Sequence, residues 1–357
     1  MPFLKLFLIP ISILYGLIVS FRNMLFDFNV IKSKKYDVPI ISIGNLCVGG
    51  SGKSPMVEYI VKLLSDFSDV AVLSRGYGRV TSGFHWVKLS SCVRDVGDEP
   101  LQIKRKFPNV SVAVSENRQK GIKKLLVHKC QVVILDDGYQ HRWVKPGLSI
   151  LLTTYDNLFI NDYLLPYGSL RESRKRADRA DIIVVTKSPK PLLPLDEYRL
   201  KEQIAPSLNQ KLCFSYIDYK APQMMFDSST TNLINKKIIL VTAISSSKQI
   251  VDYVKEKADL VKHFEYRDHK FFKKKDVLKI IKSYTQINSE EKLILTTEKD
   301  ASRLAVFENE FKTISFAYLP IEVKFQGNIN FNELIINYAG KNKNNHQISI
   351  TKNAVCS

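Results

Sequence analysis

The chain alternates short apolar runs with segments whose apolar positions recur at helical spacing. The runs Val38–Ile43, Val70–Leu73, Val110–Val114, Gln131–Leu135, Leu148–Thr153 and Asp181–Val185 predict buried strands. Between them, Met56–Leu64, Leu101–Phe107 and Gly121–His128 predict helices. Alternation of this kind predicts a mainly parallel sheet with helices on both faces. The proline-rich stretch Ser188–Pro194 predicts a domain boundary. Beyond it, Leu212–Tyr219, Lys237–Ala243, Asp259–Phe264, Val277–Tyr284 and Lys292–Thr296 continue as a smaller α/β unit. Four regions follow: a terminal helix at 1–30, a larger α/β unit at 31–211, a smaller one at 212–340, and a tail at 341–357. The Lys/Asn-rich start of that tail predicts disorder.

The terminal segment Leu6–Phe21 is almost wholly apolar and is flanked by Lys5 and Arg22. Its length, about 16 residues, falls short of the ~20 that span a bilayer. No small-x-small cleavage site follows, which argues against a secretory signal. A buried core helix is the other alternative. An uncapped apolar helix at the end of a basic chain favours membrane contact, so Pro2–Phe26 is expected to lie in or dip into one leaflet. Lys5, Arg22, Lys32, Lys34 and Lys35 would then meet anionic headgroups, although the last three fit a solvated linker equally well.

At 357 residues the chain can bury a sizeable core, and its net charge of +18 points to an anionic partner. A solvated basic surface is the plainer account of the same charge. The odd count of five cysteines, with no CxxC pair, argues against a disulfide framework or a cysteine zinc site. The histidines are scattered without metal-ligand spacing.

The densest chemical signal is Cys47–Pro55, CVGGSGKSP, between a predicted strand and a predicted helix. That order is what a phosphate-binding loop needs. The set Cys47, Val48, Gly49, Gly50, Ser51 and Gly52 would wrap the phosphates, with Lys53 on the β- and γ-phosphates and the Ser54 hydroxyl on Mg²⁺. Cys47 stands where the usual pattern has glycine. A second acidic component follows the strand ending at Leu135: Asp136 and Asp137, placed to hold Mg²⁺. The loop Ser74–Arg79 puts Arg75 and Arg79 at a strand's carboxyl end, where phosphate contacts or a solvated turn both fit. Asp98 and Glu99 in DVGDEP open a helix. Dipole partners are the ordinary reading there, and a proton-accepting base or metal ligand is the functional one. The basic run Arg171, Arg174, Lys175, Arg176 and Arg179 fits a solvated face or an anionic contact. In the smaller unit, His269 lies at a strand-to-helix junction, and Thr297 is expected to cap the helix carrying Asp300 and Arg303.

Taken together, GNLCVGGSGKSP, SRGYGR, GDEP, LDDGYQHR, LPYGSLRE, RADIIVVTK, RDHKFF and TTEKDASRL resemble, in order, the tetraacyldisaccharide 4′-kinase family, the lipid A 4′-kinases of Gram-negative bacteria. The resemblance spans nearly the whole chain. It implies an α/β fold with a P-loop NTPase-like domain, a second smaller α/β domain on a two-stranded linker, and a membrane-associated terminal helix. It implies transfer of the ATP γ-phosphate to the 4′-hydroxyl of a tetraacylated glucosamine disaccharide 1-phosphate, at the cytoplasmic face of the inner membrane. It implies ATP and Mg²⁺ as cofactors and the lipid precursor and membrane surface as partners. No nucleic acid and no obligate protein partner are expected. Carried over by motif, Cys47–Ser54 hold ATP, Asp136 and Asp137 serve Mg²⁺, and Asp98, oriented by His269, acts on the sugar hydroxyl. Lys53 joins them as a catalytic residue. Asn45, Arg75, Arg171 and Glu172 are the substrate-binding candidates. Ser54 stands where the family often has Thr, and Lys270 where it often has His. The alternative is a membrane-associated P-loop NTPase that switches or chaperones a protein partner, which would not need Asp98 and His269.

Overall fold

The computed structural model describes residues 7–227 and 229–340. Lys5, Ser228, Cys356 and the whole tail at 341–357 lie outside the described residues. The chain divides into two compact units, one of 1–216 with 323–357 and one of Ile217–Glu322. The smaller unit is therefore narrower than the expected 212–340. The chain returns from it at Val323, so the last helix belongs to the larger unit.

The larger unit opens with α1 (Leu8–Asp27), followed by β1 (Ile40–Asn45), α2 (Lys53–Ser65), β2 (Val70–Ser74) and β3 (His85–Trp86). Next come α3 (Asp98–Lys106), β4 (Ser111–Val114), α4 (Arg118–Val127), β5 (Val132–Asp136) and β6 (Leu148–Thr154). Then β7 (Ile182–Thr186), α5 (Pro194–Ile204) and β8 (Lys211–Tyr219) lead out. In the smaller unit lie β9 (Gln223–Met224), β10 (Lys237–Thr242), α6 (Lys248–Lys257), β11 (Asp259–Glu265) and α7 (Lys274–Thr285). They are followed by β12 (Lys292–Thr297), α8 (Glu298–Leu304) and β13 (Phe316–Leu319). Finally, β14 (Ile321–Gln326) and α9 (Phe331–Gly340) complete the larger unit.

Among the described residues the larger sheet has the order β14-β8-β7-β6-β1-β5-β2-β4-β3. The pairings from β8 to β4 are parallel, and β3 on β4 is antiparallel. Strands covered on both faces read as continuous apolar runs rather than alternating ones, which is why they stand out in the sequence. β1 is buried along its whole length. Its register sets Ile43 beside Asp136 of β5, so the turn after β1 and the acids after β5 leave the same sheet edge as neighbours. The smaller sheet has the order β11-β10-β12-β13-β9, parallel except for β13 on β9.

β14 lies beside β8, and α9 fastens the returning chain to the larger unit. The Tyr338 hydroxyl bonds both the amide and the carbonyl of Ile40 at 3.1 Å, and the Phe325 and Phe331 rings stack at 4.0 Å.

α1 inverts the usual polarity of a surface helix. Its buried positions are Ser12, Gly16, Asn23 and Phe26, while Leu14, Leu17, Ile18 and Phe21 face outward, Leu17 being 64% exposed. The helix is held by polar bonds instead of an apolar stripe. The Ser12 hydroxyl donates to Leu164 O (2.8 Å) and the Tyr15 hydroxyl to Arg171 O (2.9 Å). It runs to Asp27, past the end of the apolar stretch, because its last turns find ion pairs. Arg22 bonds Glu172 at 2.7 Å, and Asp27 takes Arg142 and Arg176, each at 2.7 Å. By length and composition this 20-residue helix could cross a membrane.

Glu172 is fully buried and braces Arg22 on one oxygen and Arg179 on the other. Removing one partner of a buried pair leaves uncompensated charge. Glu172→Ala is expected to lower the unfolding free energy by about 3 kcal/mol, the low end for such losses because Arg22 is partly exposed. Urea unfolding in detergent checks this; an unchanged midpoint would show that the brace carries no stability.

Candidate active site

The loop after β1 is fixed along one side by residues 169–171. Val48 N donates to Ser169 O and Arg171 N to Leu46 O, both at 2.7 Å, and Cys47 bridges Leu170. This explains a cysteine at a glycine position: Cys47 takes part in strand-like pairing. Burial pushes its thiol up to about 11, so it stays protonated and unreactive near neutrality. Beyond it the loop turns through Gly49 and Gly52, with φ of 123° and 83°, a region that disfavours side chains. α2 then starts with no side-chain cap at Gly52, which leaves the Lys53 and Ser54 amides at an uncapped helix N-terminus suited to phosphate.

Lys53 Nζ lies 3.2 Å from Asn45 Oδ1 and 3.6 Å from Asp137 Oδ1. Asp137 also accepts Arg171 Nη1 at 3.0 and 3.2 Å. Burial alone would raise this carboxyl, but Lys53 and Arg171 hold it below the usual carboxylate range. Asp137 sits at φ 49°, an uncommon conformation for a residue with a side chain and one that clusters at functional sites. Its neighbour Asp136 is buried and accepts the Ser74 hydroxyl at 2.9 Å. Burial first, then the charges of Glu99 and Asp137, pushes Asp136 up to about 6. Asp136 Oδ1 and Ser51 Oγ are buried without a hydrogen-bond partner among the described residues. A carboxylate oxygen left so beside a phosphate-type loop fits a hard cation such as Mg²⁺, which takes one or two carboxylates and keeps its other positions for phosphate and water.

The GDEP turn reaches this edge by close backbone packing. A Cβ on Gly97 would lie 3.2–3.3 Å from the backbone of Gly76 and Tyr77, and one on Gly76 would lie 2.9 Å from Val96 O. The SRGYGR loop and the GDEP turn thus fit against each other only as glycines. Asp98 begins α3, is buried, and accepts the Glu99 amide at 3.0 Å. Glu58 of α2 accepts Gln102 and Lys106 of α3, each at 2.8 Å, which ties the two helices together.

The expected site residues separate into groups. Lys53, Asp136 and Asp137 come together with the loop, and Asp98 is carried to the same edge. Asn45 is buried and orders the loop: its Nδ2 bonds Cys47 O at 2.5 Å, while Oδ1 receives Lys53. Glu172, a substrate-binding candidate, is fully buried with its carboxylate on Arg22 and Arg179. Of the two loop arginines, Arg79 turns inward onto Glu116 and Gly83 O, whereas Arg75 is exposed. Ser54 lies in the first turn of α2.

Sequence reasoning passed over Arg118. It is buried at the start of α4 and donates to Asp136 O at 3.1 Å. Burial pushes it down to about 10, against the pull of Asp136 and Asp137. The signal available was its position just after β4, at the same edge as the other motifs.

In the smaller unit His269 sits at φ 59°, with Arg303 Nη2 3.2 Å from its Nδ1. Thr297 caps α8 as expected, accepting the Asp300 amide at 3.1 Å.

Known proteins resemble this chain over nearly its whole length. A family model described as Tetraacyldisaccharide-1-P 4′-kinase matches residues 4–339. The tetraacyldisaccharide 4′-kinase of Bacteroides thetaiotaomicron is 44% identical over 97% of this chain and 96% of that protein. The one from Flavobacterium psychrophilum is 39% identical over 97% of this chain and 100% of its own length. Among solved structures, the crystal structure of LpxK from Aquifex aeolicus in complex with ATP is similar, with a TM-score of 0.72 and 30% identity, covering 94% of this chain and 99% of that one. The chain belongs to the tetraacyldisaccharide-1-P 4′-kinase family.

Proposed function

We propose that this protein transfers the γ-phosphate of ATP to the 4′-hydroxyl of a tetraacylated glucosamine disaccharide 1-phosphate. The observation that carries the reading is the gathering of Lys53, Asp136 and Asp137 at the loop after β1, with the GDEP turn packed at the same sheet edge. No observation favours the switch or chaperone alternative.

Phosphoryl transfer asks a protein mainly for positioning and charge neutralisation. The loop from Cys47 to Ser54 cradles the triphosphate, and Lys53 supplies positive charge to its outer phosphates. Ser54, Asp136 and Asp137 would hold Mg²⁺, which when bound neutralises charge on the phosphate oxygens. Arg171 keeps Asp137 ionised and in place. Asp98 accepts the proton of the attacking hydroxyl, a role worth ~10²–10⁴ in rate. His269 is assigned to the same step by its motif. Arg75, exposed at the sheet edge, is assigned to substrate contact.

The terminal helix supports a lipid acceptor. Its outward leucines, isoleucines and phenylalanines suit the headgroup–acyl boundary, where such a helix beds ~5–10 Å deep. We assign the protein to the cytoplasmic face of the inner membrane, where ATP is available, with the lipid surface as its partner and neither nucleic acid nor an obligate protein partner.

Incubation with γ-labelled ATP, Mg²⁺ and the disaccharide 1-phosphate lipid is expected to label the lipid; brisk ATP hydrolysis with unlabelled lipid would overturn the kinase reading. Lys53→Ala and Asp98→Ala should each cut transfer by ~10² or more while leaving the thermal unfolding curve in place. A near-normal rate in either removes that residue's role. Combined Leu14→Glu, Leu17→Glu and Ile18→Glu should abolish flotation with anionic vesicles without moving the urea midpoint, because these side chains do not pack on the protein. Retained flotation would show that the membrane contact lies elsewhere.

A further inference from the structure

The segment 162–179 lies alongside α1 and carries the part of the basic run that the site leaves unused. Leu164, Arg171, Glu172 and Arg176 meet Ser12, Tyr15, Arg22 and Asp27 in that order, so the segment follows α1 from its second turn to its end. Its first half is a closed loop. The Asp162 carboxylate accepts the amides of Tyr163 at 2.7 Å and Ser169 at 3.1 Å, and Leu170 N donates to Tyr163 O at 2.8 Å. Within this fixed frame the Tyr163 residue is 57% exposed. Its ring makes a T-shaped contact with Tyr167 at 5.2 Å, and the Arg174 guanidinium lies over it at 5.2 Å. Arg174 is seated by its Nε, which donates to Asp162 O at 2.8 Å. The other arginines of the run work inside the fold: Arg171 on Asp137, Arg176 on Asp27 and Arg179 on Glu172. Arg22, the basic residue expected to bring α1 itself to headgroups, is also on Glu172. Arg174 and Lys175 stay exposed, with no carboxylate partner among the described residues.

We propose that the loop 162–168, with Arg174 and Lys175, is a second membrane contact beside α1, in which Tyr163 and Tyr167 seat at the headgroup–acyl boundary and the two cations take the phosphates of anionic lipids. The proposal rests on the reading in which α1 beds in a leaflet. The two surfaces are continuous: the Ser12 hydroxyl holds Leu164 O, and a Cβ on Gly16 would lie 2.7 Å from Leu164 Cδ1. Tyrosine has an apolar body and a polar tip, which suits a boundary that is apolar on one side and wet on the other. A guanidinium can bond phosphate through its planar fork while its flat face still covers the ring. The loop is closed by its own hydrogen bonds, so little order is left to impose when it meets lipid. A helix bedded along one line lets the attached body roll about that line, and a contact to one side of it stops the roll. The same segment borders the nucleotide loop through Ser169 and Arg171, so it would set how that loop stands to the leaflet.

The full chain is tested on vesicles of phosphatidylcholine with phosphatidylglycerol. An unaltered chain that fails to float with them overturns both the reading of α1 and the proposal; a chain that floats with the loop away from lipid overturns the proposal alone. Tyr163→Trp is compared with the unaltered chain, whose Trp86 and Trp143 give the background emission. The added emission should shift to the blue on vesicles and be quenched more by lipids brominated near the headgroup than by lipids brominated deep in the chain. Added emission that no brominated lipid quenches, or deep quenching as strong as shallow, overturns the proposal. Arg174→Gln should raise the lipid concentration for half-maximal flotation about fivefold on the anionic vesicles and no more than about twofold on phosphatidylcholine alone. Its urea midpoint should not move, because the side chain is exposed. An unchanged value on the anionic vesicles, or an equal loss on both, overturns the proposal. Added emission that shifts with protein concentration in detergent, and not with lipid, would assign the loop to a contact between copies of the chain and overturn it as well.

Discussion

The carboxylate of Asp137, held between Lys53 and Arg171, joins three parts of the larger unit. Lys53 comes from the phosphate-type loop, Asp137 from the end of β5, and Arg171 from the segment that borders the loop. The anion between them offsets the repulsion of the two cations. The arrangement keeps Lys53 ordered, and a polyphosphate could take over part of the role that Asp137 plays toward it. The left-handed backbone at Asp137 is tolerated because both neighbours hold the side chain in one place.

That cluster also links the nucleotide loop to the terminal helix. Segment 162–172 bonds the loop through Ser169 and Arg171 on one side. On the other, it takes Ser12, Tyr15 and Arg22 of α1 at Leu164, Arg171 and Glu172. The helix can therefore give its apolar side chains to a lipid boundary without weakening its hold on the protein, because that hold is polar. A helix whose apolar face served the core could not do both.

Much of this was legible in the sequence for local reasons. Buried parallel strands read as apolar runs, the loop of glycines before Lys53 marks a strand-to-helix turn, and Thr297 three residues before Asp300 is a cap signal. What escaped the sequence depended on partners far along the chain. The pairing of Glu172 with Arg22, 150 residues away, has no local signal. Arg79 and Arg75 are equivalent by spacing, yet only Arg79 finds Glu116. Arg118 carries no motif of its own, and its function as a buried neighbour of Asp136 appears only once β4 and β5 are in one sheet. The return of the chain at Val323 was hidden because a continuous α/β pattern does not say which sheet its last strand joins.

The central claim is that phosphate held at Lys53 ends on one particular hydroxyl of a lipid. Phosphorus NMR of the lipid product, with through-bond correlation to the sugar protons, tests it most directly. The account predicts a new phosphomonoester coupled to the 4′ position, with the 1-phosphate unchanged. A new phosphate at any other position, or inorganic phosphate alone, would contradict it.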